Sequence, residues 1–192
     1  ATAEDGARAA SYQRAAPRRA LRESATSLGG YIEALQVRVS LEPLAAAVAA
    51  ERERVAQLIG RTNQFNAWKR PPPPIGAAQL RCEGLTMRVT DRFGDYGLVG
   101  AALCTRDAVG GEAAHALSVR TFCMSCRVLG RGAEHAMLAQ LGRMAVGATP
   151  PPRCGVVRVG VERSERNAPV IRFLEAASRR LGGGRNGGDD DD

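Results

Sequence analysis

The sequence has almost no lysine and few aromatic residues. Of its 192 residues, 27 are lysine or arginine, and Lys69 is the only lysine, so dispersed arginines carry the positive charge. Aromatic residues make up only 4% of the chain. A surface that binds single-stranded nucleic acid would combine a basic patch with stacking aromatics, and this combination is missing. We therefore expect no nucleic-acid partner; the net charge of +7 suits a phosphate-bearing or acidic partner instead.

Long apolar runs are also missing. A membrane-spanning helix needs about 18 or more consecutive apolar residues, and the chain contains no such run. The N-terminal stretch ATAEDGARAASYQRAAPRRA lacks the apolar core of a secretory signal. The five cysteines are scattered and odd in number, a pattern typical of reduced thiols rather than of a disulfide framework. These features predict a cytoplasmic protein without a membrane partner.

The chain divides into three parts by composition. Residues 1–26 are polar and rich in alanine and arginine, which predicts a linker or a solvated helix. Residues 27–181 carry the periodic apolar patterns of a folded domain. Residues 182–192 contain mainly glycine and aspartate, which predicts a disordered acidic tail.

The folded part alternates between strand and helix patterns. After a short helix at 28–35, strands are predicted at 37–41, 84–90, 96–105, 114–122 and 156–162, and helices at 44–62, 132–146 and 167–181. The three successive strands indicate an antiparallel meander, and the strand–helix–strand unit that follows indicates a parallel crossover. The expected fold class is therefore α+β, with a mixed, mostly antiparallel sheet flanked by helices.

A glycine-spaced turn joins the fourth predicted strand to a helix. Glycine lets the backbone approach a ligand closely, and the free amides at a helix start attract phosphate. Two arginines within the turn add positive charge. We predict that a phosphate-bearing ligand binds here, at Arg127, Val128, Leu129, Gly130, Arg131 and Gly132.

In this position the turn resembles motif A of the GNAT superfamily of acetyltransferases, whose loop holds the pyrophosphate and pantetheine of acyl-CoA. Four runs narrow the resemblance to the C-terminal GNAT-like half of the FkbH-like family. They are VAQLIGRTNQFN (55–66), DRFGDYGLVG (91–100), FCMSCRVLGRGAE (122–134) and ERNAPV (165–170). Full-length members of that family join a HAD-type phosphatase module to the GNAT-like module.

The resemblance implies transfer of a glyceryl group. Members take this three-carbon acyl group from 1,3-bisphosphoglycerate, dephosphorylate it and load it on an acyl carrier protein for polyketide extender units or tetronate rings. The implied ligand is the phosphopantetheine arm of a carrier protein or coenzyme A. The implied partners are an acyl carrier protein and a HAD-type phosphatase module, in the same gene product or a separate chain.

The sequence departs from these families in three places. It has no D-x-D-x-T phosphatase motif, so we expect the transfer activity without the phosphatase activity. Leu174 stands where GNAT enzymes usually have a tyrosine that protonates the leaving thiolate. No strand pattern follows the last helix, so the sheet is predicted to lack the final GNAT strands.

Cys126 is the candidate nucleophile. It lies directly before the glycine turn, where a helix start and Arg127 favour a thiolate, and a thiolate there could carry the acyl group as a thioester. The alternative is a small packed residue at a strand end. A zinc or redox pair with Cys123 is disfavoured because the two positions of a strand face opposite sides, and no metal is expected.

Other polar residues in the matching runs have both a chemical and a structural interpretation. His135 could act as a general base or contact the carrier phosphate, or simply lie on the helix surface. Asp95 could act as a base, and Asp91 or Tyr96 could bind substrate, or all three could form a hairpin turn.

Three asparagines have the same ambiguity. Asn63 and Asn66 could polarise a substrate carbonyl or hydroxyl, or they could form a helix C-cap and turn. Asn167 could cap the last helix, whereas the resemblance places it close to the pantetheine arm of the cofactor.

Two other functions stay open. One is acyl-CoA-dependent N-acetylation of the ordinary GNAT type, which needs no covalent enzyme intermediate. The other is a non-catalytic module that docks a carrier protein, which the missing phosphatase motif and the missing final strands favour.

Overall fold

A computed structural model of the protein describes residues 15–68, 83–109, 114–147 and 153–182. These residues form a five-stranded sheet in the order β1-β2-β3-β4-β5. The strands are β1 (Arg38–Pro43), β2 (Glu83–Asp91), β3 (Gly94–Ala108), β4 (His115–Met124) and β5 (Val156–Val159). The helices are α1 (Ala15–Ser24), α2 (Leu28–Leu35), α3 (Ala49–Arg61), α4 (Ala133–Val146) and α5 (Ala168–Arg180).

The sheet is mixed. The first three pairings in the sheet are antiparallel. The crossover through α4 makes the pairing of β4 with β5 parallel. This confirms the predicted α+β class and its mostly antiparallel sheet.

Two predicted elements differ in extent. The helix predicted over 44–62 is interrupted, because Ala47 and Val48 are extended and separate a 3₁₀ turn (Leu44–Ala46) from α3. The Glu51 carboxylate then accepts the Val48 amide at 3.2 Å and starts α3. The strand predicted over 156–162 ends at Val159. Beyond that point the Gly160 amide still donates to the Val119 carbonyl of β4, whereas the Glu162 amide donates to the Ala67 carbonyl.

The helices cover both faces of the sheet. On one face, α3 packs against the strands through Val55, Leu58, Ile59, Leu98, Ala101 and Cys123. On the other face, α4 and α5 pack through Met137, Leu141, Val170 and Ile171 against strand residues such as Val99 and Phe122. Burial of these apolar side chains stabilises the sheet and fixes where β4 meets α4.

Helix α1 is the first described element, and α5 is the last. Helix α1 is mostly exposed, although Arg18 is only 8% exposed. The predicted domain limits stay predictions, because residues 1–14 and 183–192 lie outside the described residues. No strand follows α5 within the described chain, which ends at residue 182. None of the described helices is long and apolar enough to cross a membrane.

Candidate active site

The glycine turn between β4 and α4 is open. After the 3₁₀ turn Cys126–Val128, the chain takes positive φ at Gly130 (71°) and at Gly132 (83°). A Cβ atom on either glycine would have no atom within 4 Å, so free space lies next to this backbone. The first backbone amides of α4 have no acceptor within the helix, because no helical carbonyl lies one turn before them. The turn can therefore receive an anion.

Four backbone amides of this turn, those of residues 127–130, already donate to the protein itself: the first three to Ser125 Oγ, the Ser125 carbonyl and the Cys126 carbonyl, and the fourth to Glu134. The Gly130 amide donates to Oε1 of Glu134 at 3.0 Å, while Oε2 of this 8%-exposed residue has no partner among the described residues. A glutamate in the first turn of a helix also suits the positive end of the helix dipole. The glutamate two residues after the second glycine was the signal for this contact.

The two turn arginines bind protein groups. The Arg127 guanidinium donates from Nε to Ser125 Oγ at 3.4 Å and from NH2 to the Tyr96 carbonyl at 3.5 Å. The Arg131 guanidinium donates to the Tyr96 hydroxyl and lies 3.4 Å from Asp91 Oδ2. Both arginines thus tie the turn to the hairpin between β2 and β3.

Asp91 is the centre of this hairpin cluster. Its side chain is fully buried and accepts two hydrogen bonds from Arg18, at 3.0 and 3.2 Å. The Tyr96 hydroxyl donates to it at 2.6 Å, and the Phe93 and Gly94 amides donate at 2.9 and 3.1 Å. Burial raises the pKa of Asp91, but the hydrogen bonds from Arg18, Tyr96 and Phe93 together hold it below its usual value.

Tyr96 completes the cluster. Burial, followed by its hydrogen bond to Asp91, raises the pKa of the phenol. The Arg18 and Arg131 guanidinium carbons lie 4.7 and 5.1 Å from the ring centroid. The sequence predicted Asp91 and Tyr96 as substrate-binding residues, and here they bind each other and the arginines. Arg18 was missed because nothing in its polar helix marks a buried residue.

Two other predicted catalytic residues lie apart from the cluster. The exposed Asp95 carboxylate accepts the Gly97 amide at 2.6 Å, as a turn residue does. His135 is exposed in the first turn of α4, with its ring edge-on to Phe173 at 5.0 Å between centroids. His135 therefore follows the glycine turn directly and is accessible to a ligand there.

The two cysteines before the turn differ in environment. Cys126 is exposed, whereas Cys123 is fully buried, and this burial raises the pKa of the Cys123 thiol to about 12. The two thiols do not form a disulfide. Among the described residues, no group of three or more histidine, cysteine, aspartate or glutamate side chains could hold a metal ion. Cys126 thus remains the accessible thiol beside the turn.

A short segment, Phe65–Trp68, lies beside the end of β4; we call it the strap. The Met124 amide donates to the Phe65 carbonyl at 2.9 Å, and the Ala67 amide donates to the Phe122 carbonyl at 3.0 Å. On its other side, the Ala67 carbonyl accepts the Glu162 amide at 2.9 Å. The strap therefore lies between the end of β4 and the chain that continues from β5.

Two of the predicted asparagines hold the strap. The Asn66 side-chain amide donates to the carbonyls of Ile59 at 3.1 Å and Thr62 at 3.4 Å, at the end of α3. The Asn167 side-chain amide donates to the Asn66 carbonyl at 3.1 Å and to the Glu162 carbonyl at 2.8 Å. The expected side-chain cap by Asn167 on α5 is not formed. Asn63 is half-buried just after α3.

Solved structures of other proteins share this architecture. No family model and no curated protein matches the sequence. Among solved structures, an aminoglycoside acetyltransferase from an uncultured soil metagenomic sample is similar with a TM-score of 0.58 and 14% identity, over 81% of this chain and 97% of that one. The chain has a GNAT-like fold.

Two other structures show the same fold. One is a ribosomal-protein-alanine N-acetyltransferase from Brucella melitensis biovar Abortus 2308, with a TM-score of 0.52 and 14% identity over 81% of this chain and 98% of that one. The other is the aminoglycoside N-acetyltransferase AAC(6')-Iy in complex with CoA, with a TM-score of 0.50 and 12% identity over 78% and 90%. At this identity the likeness is one of fold.

The site combines an open turn with a strand edge that is already paired. The open glycine turn offers free space beside the start of α4. The β4 edge nearest the turn carries the strap.

Proposed function

We propose that the protein is an acyltransferase that moves a glyceryl-type acyl group from 1,3-bisphosphoglycerate, through a thioester on Cys126, to an acyl carrier protein. The observation that carries this proposal is the open glycine turn directly after an exposed cysteine. The three-carbon group, the HAD-type phosphatase partner and a role in polyketide extender-unit or tetronate synthesis rest on the sequence resemblance.

The first step would load the enzyme. The Cys126 thiolate attacks the acyl-phosphate carbonyl, a carbon–sulfur bond forms, and the carbon–oxygen bond to the leaving 1-phosphate breaks. The product is a 3-phosphoglyceryl thioester, whose remaining phosphate the HAD-type partner would remove by hydrolysis. The amides of Arg131 and Gly132 and of the first turn of α4 would stabilise the departing phosphate.

The second step would transfer the group to the carrier. The pantetheine thiol gives its proton to a base, attacks the thioester and releases the Cys126 thiolate. His135 is the candidate base because it is exposed in the first turn of α4. Asp95 is the other exposed candidate.

Intact-protein mass spectrometry tests the covalent step. After incubation with 1,3-bisphosphoglycerate, the wild-type chain should gain one 3-phosphoglyceryl adduct, and Cys126→Ser should gain none. Cys154→Ser is the matched control, because Cys154 is buried and should leave the loading intact. Loading of Cys126→Ser at the wild-type level would overturn the assignment of the nucleophile.

Mixtures with a carrier protein test the transfer. A 3-phosphoglyceryl adduct on the carrier without a HAD-type partner would establish transfer by this chain alone, and addition of the partner should convert it to a glyceryl adduct. An adduct that forms only with the partner would mean that transfer needs the dephosphorylated group. No adduct in either mixture would contradict transfer and favour a docking module.

Acyl-CoA-dependent N-acetylation is the second candidate. The similar structures are named as acetyltransferases, and one is in complex with CoA. Leu174, which packs against the core in place of the usual tyrosine, offers no acid for the leaving thiolate. Acetylation of an amine acceptor from acetyl-CoA by both wild type and Cys126→Ser would favour this candidate, since no enzyme thioester is then needed.

A further inference from the structure

The carboxylate of Asp91 is shared unequally between two arginines. Arg18 holds it with two hydrogen bonds, from Nε to Oδ2 at 3.0 Å and from NH2 to Oδ1 at 3.2 Å. Arg131 reaches only Oδ2, from NH1 and at 3.4 Å. Oδ2 also accepts the Tyr96 hydroxyl at 2.6 Å, so Arg131 makes the longest of the three contacts on that oxygen. The negative charge of Asp91 is therefore balanced mainly by Arg18.

Arg131 keeps donors that a ligand can use. Its side chain is 16% exposed, and within the described part of the chain only its NH1 group donates, to Asp91 and to the Tyr96 hydroxyl. A guanidinium also has donors on Nε and on its second NH2 group, and these hold no acceptor among the described residues. Arg131 lies between Gly130 and Gly132, where an added Cβ would meet nothing within 4 Å. A guanidinium whose charge is only partly balanced thus lies beside free space, an arrangement that suits an anion.

We propose that Arg18 is a positioning residue for the glycine turn: by holding Asp91, it keeps Arg131 available for a phosphate-bearing ligand. The inference rests on the proposed function, because that function puts the phosphate at this turn. Without Arg18, Oδ2 of Asp91 loses a donor, and Arg131 can close from 3.4 Å to the distance of about 2.7–2.9 Å that is typical of a charge-assisted hydrogen bond. Arg131 then serves Asp91 instead of the ligand. Since Arg18 lies on α1, the docking of this helix sets the anion affinity of the turn.

Substitutions on the two sides of the Arg18–Asp91 pair should change anion affinity in opposite directions. Calorimetric titration with inorganic pyrophosphate measures that affinity. Arg18→Gln should weaken binding about tenfold, because Arg131 turns to Asp91 and a charged hydrogen bond to the ligand is lost. Asp91→Asn should tighten binding about threefold, because the carboxylate that competes for Arg131 is gone. If the ion pair only supported the fold, both substitutions would weaken binding.

Matched control variants account for the change in net charge. Arg22→Gln removes one positive charge from the same helix, where the Arg22 guanidinium lies 5.2 Å from the centre of the Tyr31 ring. Asp107→Asn removes one negative charge from an exposed ion pair. Each cluster variant is compared with the control of equal charge. Arg18→Lys keeps a cation for Asp91 and should bind pyrophosphate nearly as well as wild type, and far-UV circular dichroism shows that each variant is folded.

Urea unfolding tests the competition for Asp91 without a ligand. In the wild-type background, Arg131→Gln leaves Asp91 paired with Arg18. In the Arg18→Gln background, the same substitution removes the last of the two guanidinium groups from a buried carboxylate. Arg131→Gln should therefore lower the free energy of unfolding more in the Arg18→Gln background than in wild type.

The two measurements separate the role of Arg18 from the proposed function. Equal effects of Arg131→Gln in both backgrounds would overturn the role of Arg18. Pyrophosphate affinities that shift in the same direction for Arg18→Gln and Asp91→Asn, or that match their charge controls, would overturn it as well. If the effect of Arg131→Gln depends on the background and yet no form binds pyrophosphate, the competition for Asp91 stands and a phosphate site at the glycine turn is refuted.

Discussion

Asp91 is the most informative residue to perturb, because its buried carboxylate joins α1, the hairpin and the glycine turn. Asp91→Asn keeps the side-chain volume but replaces one acceptor oxygen by a donor that faces Arg18 and the Tyr96 hydroxyl. Breaking a buried ion pair on one side costs about 3–5 kcal/mol. Because asparagine keeps one acceptor oxygen for the Phe93 amide, we expect the free energy of unfolding to fall by about 3 kcal/mol, the lower end of this range.

Urea unfolding followed by the fluorescence of Trp68, the only tryptophan, measures this loss. Arg120→Gln is the control: Arg120 pairs with Asp107 at 3.8 Å, and their side chains are 59% and 40% exposed. We expect a change within about 0.5 kcal/mol for the control. The assigned role of Asp91 is refuted if Asp91→Asn lowers the free energy of unfolding no more than Arg120→Gln does, with the dependence of that free energy on urea concentration unchanged.

Three further predictions follow from the same contacts. The pKa of Asp91 is lower in the folded state than in the unfolded chain. The ionised carboxylate therefore contributes its full share to the free energy of unfolding above the pKa of the unfolded chain, near 4. This share is lost as the pH falls through the pKa of the folded state. The stability gap between wild type and Asp91→Asn, measured by urea unfolding, should therefore narrow below about pH 4. Gly142→Ala should raise the free energy of unfolding by about 0.5–1 kcal/mol in the same assay, because the new methyl lies in α4 with nothing within 4 Å. A thiol reagent should label Cys126 in the native protein and Cys123 only in urea, as peptide mass mapping can show; labelling of Cys123 before Cys126 would contradict the assigned burial.

The sheet could be predicted from sequence because its strands carry local signals. The alternation in β4 and β5 and the apolar run in β3 gave strand positions that the structure confirms to within a few residues. The end of β5 could not be found in the same way. Val161 continues the alternation, but the hydrogen bond of the next residue goes to Ala67, far away in the chain. Pairing partners of this kind are set by the tertiary fold and leave no periodic trace.

In the candidate site, too, local features could be predicted from the sequence and long-range contacts could not. The glycine turn was recognisable because a positive φ demands glycine at Gly130 and Gly132, which is a local requirement. The partners of the polar residues were not recognisable, because Arg18 and Asp91 are 73 positions apart. Residue types and spacing identified the glycine turn and the hairpin, and the fold decided which of their polar side chains contact each other.

A protein carboxylate engages the candidate anion site at the glycine turn. Oε1 of Glu134 accepts the hydrogen bond of the Gly130 amide, and Oε2 of the same side chain is buried without a partner among the described residues. An anion that displaced Glu134 from this amide would leave a buried carboxylate without that donor, which is costly unless the side chain turns outward or takes a proton. Any anion that binds through the Gly130 amide therefore has to offset this cost.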